Sequence, residues 1–170
     1  MKQNYTSAAT SINRDRLPAV YGRIQIEPGD HVLDYGCGRY TDHIRAALPE
    51  DVEYIPYDPY NQPQTVNHHA TLRVNTLRIM AEPVTVICSN VLNVIDGDTE
   101  VRDICRNIAA IVRTTGGKAY ITVYEGDRSG NGRQTGPDQY QRNQRLSEYL
   151  RFIPESVRAY TYRNMIVMEA

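Results

Sequence analysis

Hydrophobic and polar positions along this chain alternate between two periods. Short apolar runs closed by glycine or polar residues read as strands, and longer segments with apolar residues every three or four positions read as helices. His31–Tyr35 is the first such run, with Val32–Tyr35 its β-forming part; Gly36-Cys37-Gly38 turns the chain, and Thr41–Leu48 has helical character. A second strand is expected over Val52–Tyr57. Residues 59–70 are rich in Pro, Asn and Gln, which predicts a loop in place of a crossover helix, followed by a short third strand at Thr71–Val74. Val84–Cys88 is apolar almost throughout and reads as a central strand covered on both faces. Val101–Val112 carries apolar residues at helical spacing and ends at Gly116-Gly117. Lys118–Tyr124 is the next strand, 125–137 a polar glycine-rich loop, and 138–152 a helix. Val157–Tyr162 and Met165–Glu169 form a closing hairpin around Arg163-Asn164. Ahead of all this, Ser11–Tyr21 offers a short helix broken near Pro18, within a lead-in over residues 1–25.

This order of elements predicts one α/β domain over 1–170: an open, mostly parallel sheet with helices on both faces, and one edge strand antiparallel because of the hairpin. With 170 residues, 41% hydrophobic and 23% charged, the chain has the composition of an ordinary globular protein. No apolar run approaches the roughly 18–20 residues of a membrane span, and the first ten residues lack an apolar signal core. Three cysteines, Cys37, Cys88 and Cys105, are an odd count without a CxxC pair, which argues for the cytoplasm and against a disulfide framework or a zinc site. Adjacent His68 and His69 point apart on any regular element, so no metal is expected there.

A net charge of −1 gives no electrostatic support to a nucleic-acid partner. Only Lys2 and Lys118 are lysines, and seven arginines follow Glu125. Six acids share that segment, so a solvated mixed-charge surface is expected.

Chemistry concentrates at the first glycine turn. A strand, a glycine turn and a helix let backbone approach a ligand where no Cβ intervenes. Asp58 ends the second strand 22 residues beyond Gly36, and an acid there suits the two hydroxyls of a ribose. The pair points to a nucleoside-bearing cofactor.

Four ordered segments carry a resemblance. HVLDYGCGRY (31–40), YIPYDPY (54–60), VTVICSNVLNVI (84–95) and TTGGKAYITVY (114–124) resemble the class I S-adenosylmethionine-dependent methyltransferases. With SINR at 11–14, the set is closer still to a subgroup of small methyltransferase-like proteins, some of which accompany phages or DNA-modification loci. The resemblance implies a three-layer Rossmann-like methyltransferase fold, with a seven-stranded sheet whose last strand is antiparallel. It implies S-adenosyl-L-methionine as cofactor, with Asp34, Tyr35, Gly36, Cys37 and Gly38 around its methionine part. Asp58 would hold the ribose, Pro59 and Tyr60 would lie beside the adenine, and Asn75, Thr76 and Leu77 would meet the adenine edge. Ser89, Asn90 and Val91 would lie where cofactor and acceptor meet, and Arg14 is a candidate partner for the cofactor carboxylate. Tyr40 stands where the family pattern has a third glycine, so its ring either walls the pocket or fills it. The segment CSNVLN lacks the (N/D)PP(Y/F/W) motif of base N-methyltransferases, which withdraws support from methylation of an exocyclic base amine.

Methyl transfer needs in-line positioning and, for a protonated nucleophile, a base. The loop after the Lys118–Tyr124 strand supplies the candidates: Glu125, Asp127 and Tyr140 for catalysis, and Tyr124, Gln141 and Asn143 for holding a small or exposed acceptor. Two other readings remain open: a non-catalytic module that binds S-adenosylmethionine, and a nucleotide-dependent oxidoreductase. The second is disfavoured because Thr41 stands where GxGxxG would be completed.

Overall fold

The computed structural model describes residues 15–137 and 139–170. β1 (His31–Tyr35), β2 (Glu53–Tyr57), β3 (Val84–Ser89) and β4 (Lys118–Thr122) are mutually parallel. β7 (Arg158–Tyr162) and β8 (Met165–Glu169) form the closing hairpin. Together they make a six-stranded mixed sheet in the order β2-β1-β3-β4-β8-β7. Among the described residues α1 (Asp42–Ala47), α2 (Gln64–Met80) and α3 (Asp98–Thr115) are the α-helices. The class is α/β, as the alternating pattern predicts.

Four expectations fail, each for a physical reason. The sheet has six strands and not seven, because 71–74 is not a strand: it lies inside the 17-residue helix α2, which begins at Gln64. Pro63 occupies the N-cap, where its missing N–H costs nothing. Ala70, Val74 and Leu77 form the buried stripe of this helix, four and three residues apart. The Asn67 side chain adds a tie across to β2: its Oδ1 accepts the Asp58 N–H at 2.9 Å and its Nδ2 donates to the Asp58 carbonyl at 2.9 Å. Packing on β2 thus overrides the weak helix propensity of QTVNHH.

The antiparallel strand is not at the edge. β8 pairs with β4 on one side and β7 on the other, so the edge strand β7 runs with the parallel set. The region after β4 is neither a plain loop nor a long helix: β5 (Arg133–Gly136) and β6 (Gln139–Gln141) pair as a small hairpin, and only Leu146–Phe152 coils, as a 3-10 helix. Asn143 has φ +55°, which breaks any helix passing through it. Lastly, the described part of the expected helix at 11–21 is turn, with the N–H of Tyr21 donating to the Pro18 carbonyl and that of Arg23 to Val20.

Two apolar cores flank the sheet. The larger packs α2, α3 and the 3-10 helix on one face, with Val86, Cys88, Cys105, Ile108 and Tyr149 fully buried. The smaller sits beneath α1 and the lead-in, around Val20, Val32, Ile44 and Ile87. Among the described residues no helix is long and apolar enough to cross a membrane, and all three cysteines are free.

Candidate functional site

The chain leaves β1 toward β2 on one side and returns through α2 to β3 on the other. The carboxyl ends of β1 and β3 therefore form the switch point where open α/β sheets bind ligands. A cleft of about 1450 Å³ opens there.

Its floor is the glycine turn. Gly36 and Gly38 have φ of +82° and +74°, a region that L side chains rarely adopt. A Cβ on Gly36 would stand 2.3 Å from Val91 Cγ2, so the loop after β3 closes directly on this turn. At Gly38 a Cβ would meet nothing within 4 Å, leaving that face open. All three N–H groups of the turn are engaged: Gly36 and Cys37 donate to the Tyr57 carbonyl at 2.7 and 3.2 Å, and Gly38 donates to Asp58 Oδ2 at 3.0 Å. Burial, with Asp34 and Asp58 nearby, pushes the Cys37 thiol up and away from thiolate chemistry.

Asp58 is buried and its carboxylate is saturated. Oδ1 accepts the N–H groups of Tyr60 and Asn61, both at 2.9 Å, and Oδ2 accepts Gly38 N–H and Asn61 Nδ2, both at 3.0 Å. Four bonds fill the roughly four lone-pair sites of a carboxylate. Asp58 thus fastens the glycine turn to the end of β2. Beside it, Asn61 Oδ1 is buried and has no hydrogen-bond partner. Asn61 lines the cleft, and sequence reasoning missed it: within PYNQP it reads only as a turn residue.

The opposite wall comes from β3 and β4. Asn90 is left-handed (φ +57°) and its N–H donates to the Thr122 carbonyl at 2.8 Å, while Thr122 Oγ1 donates to Ser89 Oγ at 3.0 Å. Ser89, Asn90 and Val91 all line the cleft, as do Pro59 and Tyr60 at the end of β2, and Tyr35 and Tyr40. Tyr124 stands at the mouth, 65% exposed.

The substrate-side candidates divide. Tyr124, Asp127, Tyr140, Gln141 and Asn143 reach the cleft. Glu125 does not: its Oε1 accepts the Leu146 N–H at 2.7 Å and its Oε2 pairs with Arg128 Nε at 2.6 Å, in a separate recess. Asp127 is fully exposed and held below the usual carboxylate range by hydrogen bonds from Ser129, which makes it a weak base.

Gln141 and Asn143 belong to a buried polar strap. Gln141 donates to the Tyr124 carbonyl at 2.8 Å and accepts from Asn93 Nδ2 at 3.1 Å. Arg142 is 5% exposed; it donates to the Ile95 carbonyl at 2.9 Å and pairs with Asp98. Asn143 Nδ2 donates to the Asn131 carbonyl at 2.9 Å. The strap ties the loop after β4 to the loop after β3, so these side chains shape the cleft from behind. Arg142 and Asn93 went unread in the sequence because their partners lie more than forty residues away.

Four expected positions fall elsewhere. Asp34 sits beneath the turn on the smaller core, where its Oδ2 accepts the hydroxyls of Tyr21 at 2.9 Å and Tyr54 at 2.8 Å. Burial there raises its pKa to about 6, although the two tyrosines pull the other way. Asn75, Thr76 and Leu77 are in the later turns of α2 and are not among the cleft residues; Asn75 and Thr76 face solvent and Leu77 is core. The reason is the missing third strand, whose end would have carried them to the sheet edge. Arg14 lies outside the described residues.

No group of histidine, cysteine and acidic side chains among the described residues suits a metal ion, and His68 and His69 are exposed on α2. No protein-family model and no curated protein matches the chain.

Proposed function

We propose that the cleft binds S-adenosylmethionine and that the chain transfers its methyl group to a small or exposed acceptor. The observation that carries the reading is the glycine turn at the switch point, tied to Asp58 at the end of the adjacent strand. Two details fit the group. Asn61 Oδ1, buried and without a partner beside Asp58, suits a hydroxyl donor such as a ribose diol supplies. The open face at Gly38 leaves room where a side chain would intrude. In this reading Asp58 and Asn61 hold the ribose, with Asn61 Nδ2 giving up its place on Asp58 Oδ2 to a hydroxyl. Pro59 and Tyr60 flank the adenine, and Tyr35 to Gly38 with Ser89 to Val91 enclose the methionine part. When bound, the group supplies an electrophilic methyl on a sulfonium. The protein's share is to orient the acceptor and limit water, roles that fall in this reading to Tyr124 and Tyr140, both in the lining of the cleft.

A second reading, a binding module without turnover, is favoured by one observation: neither acid of the loop after β4 is suited to act as the base. Glu125 is withdrawn into its recess and Asp127 is a weak, fully exposed carboxylate. An acceptor that needs no deprotonation removes this objection. A dinucleotide oxidoreductase gains no support, because a pyrophosphate needs turn N–H groups that are here donated to Tyr57 and Asp58.

Equilibrium dialysis against S-adenosylmethionine and its demethylated product tests the proposal. Saturable binding of both is expected, and no binding at millimolar ligand by folded protein refutes it.

A further inference from the structure

The loop after β4 alternates in what it faces. Tyr124, Gly126 and Asp127 line the cleft, whereas Glu125 and Arg128 line a separate recess of about 440 Å³. Asn164, in the turn of the β7–β8 hairpin, borders both. β7 runs with the parallel strands, so this turn lies on the same carboxyl edge of the sheet as the cleft.

Three arginines, Arg128, Arg145 and Arg163, line the recess from three segments, together with Ser147 and Thr161. Glu125 is the single acid of the lining, and it is committed: one oxygen holds the Leu146 N–H, the other Arg128 Nε. That clamp uses the Nε edge of Arg128 and leaves its two terminal nitrogens available. Neither Arg145 nor Arg163 has a carboxylate partner among the described residues; Arg163 lies over the Tyr162 ring at 5.2 Å. Arg128 and Arg163 also hold left-handed backbone (φ +60° and +46°), positions usually occupied by glycine or asparagine. Three arginines against one acid leave the recess positive, which favours an anion there.

We infer that this recess is a phosphate-binding subsite and that the methyl acceptor carries a phosphate group reaching it from the cleft. The net charge of the lining is +2, matching a phosphomonoester, which carries −1.5 to −2 at neutral pH. Three guanidinium forks and two hydroxyls offer more donors than the two oxygens of a carboxylate accept, and suit a tetrahedral anion with three or four. Only the statement that the phosphate belongs to the acceptor rests on the methyltransferase reading; the subsite itself does not.

The test is a ¹H–¹⁵N NMR titration of the whole protein at low ionic strength with inorganic phosphate, against sodium chloride at matched ionic strength. Saturating shifts confined to residues around 128, 145–147 and 161–164 are expected with phosphate and not with chloride. The double variant Arg145→Ala/Arg163→Ala removes exposed side chains and should keep its melting temperature while weakening phosphate binding by at least ~10-fold. Glycerol phosphate and a short oligothymidylate then separate the sources: tighter binding of the first identifies a free phosphomonoester, and of the second a diester backbone. Shifts that chloride reproduces, or that survive in the double variant, overturn the subsite. S-adenosylmethionine binding, measured on the same double variant, should be unchanged. Its absence in the wild type would sink the cofactor reading and leave the recess standing.

Discussion

Replacing Asp58 separates what this carboxylate does for the fold from what it does for a ligand. In the folded chain it accepts four hydrogen bonds, three of them from backbone N–H groups of Gly38, Tyr60 and Asn61. Hydrogen bonds to a charged acceptor contribute ~1.5–3 kcal/mol each, less where water reaches the freed donor, so Asp58→Ala should cost ~4–6 kcal/mol. Asp58→Asn is gentler. Its remaining oxygen keeps Tyr60 and Asn61 N–H, and its new NH₂ faces Gly38 N–H and Asn61 Nδ2. Asn61 relieves half of that conflict by turning its unpartnered Oδ1 toward the new donor. The opposed Gly38 N–H remains, at ~1–3 kcal/mol for a donor left unsatisfied. Urea unfolding at neutral pH measures both, with the m-value unchanged if only native contacts are lost. Asp58→Asn should therefore fall ~2 kcal/mol below wild type, and Asp58→Ala at least ~2 kcal/mol further. Two variants within ~0.5 kcal/mol of wild type would refute the role of Asp58 as the fastener of the glycine turn. One consequence is practical: ligand loss in Asp58→Ala reports a damaged turn as readily as a lost ribose contact.

Other perturbations have defined signs. Gly36→Ala forces a Cβ to within 2.3 Å of Val91 at φ +82°, and should cost ~2–4 kcal/mol in denaturant unfolding. Val91→Ala should recover ~1 kcal/mol or more of that, and a strictly additive double mutant would show the contact is not there. Asp34, raised from the ordinary 3.8 to about 6 by burial, binds its proton in the folded state at pH values where the unfolded chain has released it. Stability therefore falls as pH rises from about 4 through 6, by roughly 3 kcal/mol at 1.36 kcal/mol per pH unit. Asp34→Asn keeps an acceptor for Tyr21 and Tyr54, and should flatten that part of the curve; parallel curves for the two proteins would contradict this. Tyr40 lines the cleft, so Tyr40→Gly should weaken S-adenosylmethionine binding in a competition titration; tighter binding would mean that its ring obstructs the pocket.

The six strands of the main sheet were legible because their side chains state their burial. Val84–Cys88 is a run of β-formers buried almost throughout, Lys118–Thr122 buries Ala119, Ile121 and Thr122, and the closing hairpin announces itself at Arg163-Asn164. Helix α2 was not legible. Its apolar stripe consists of three buried residues among polar neighbours, and its first turns are secured by Asn67 bonds to Asp58 that no local pattern encodes. The strap at 141–144 was misread as helix for a similar reason: its polar side chains are buried because Asn93, Ile95 and Asp98 receive them. At the site, the glycine turn and Asp58 were found from spacing, but not that the chain itself saturates Asp58. The arginines after Glu125 look like a solvated mixture in sequence, since only the fold brings three of them to one recess.

The central claim is that Asp58 and Asn61, beside the turn at Gly36–Gly38, hold the nucleoside of S-adenosylmethionine. Isothermal calorimetry of S-adenosylmethionine into wild type and Asn61→Leu tests it most directly, because Asn61 offers the buried acceptor not used by the fold. The prediction is one saturable site in wild type, weakened ~10-fold or more in a variant that still unfolds cooperatively above the assay temperature, though less stable for the lost Nδ2–Asp58 bond. Equal binding by the two proteins, or no heat from wild type at millimolar ligand, would contradict the account.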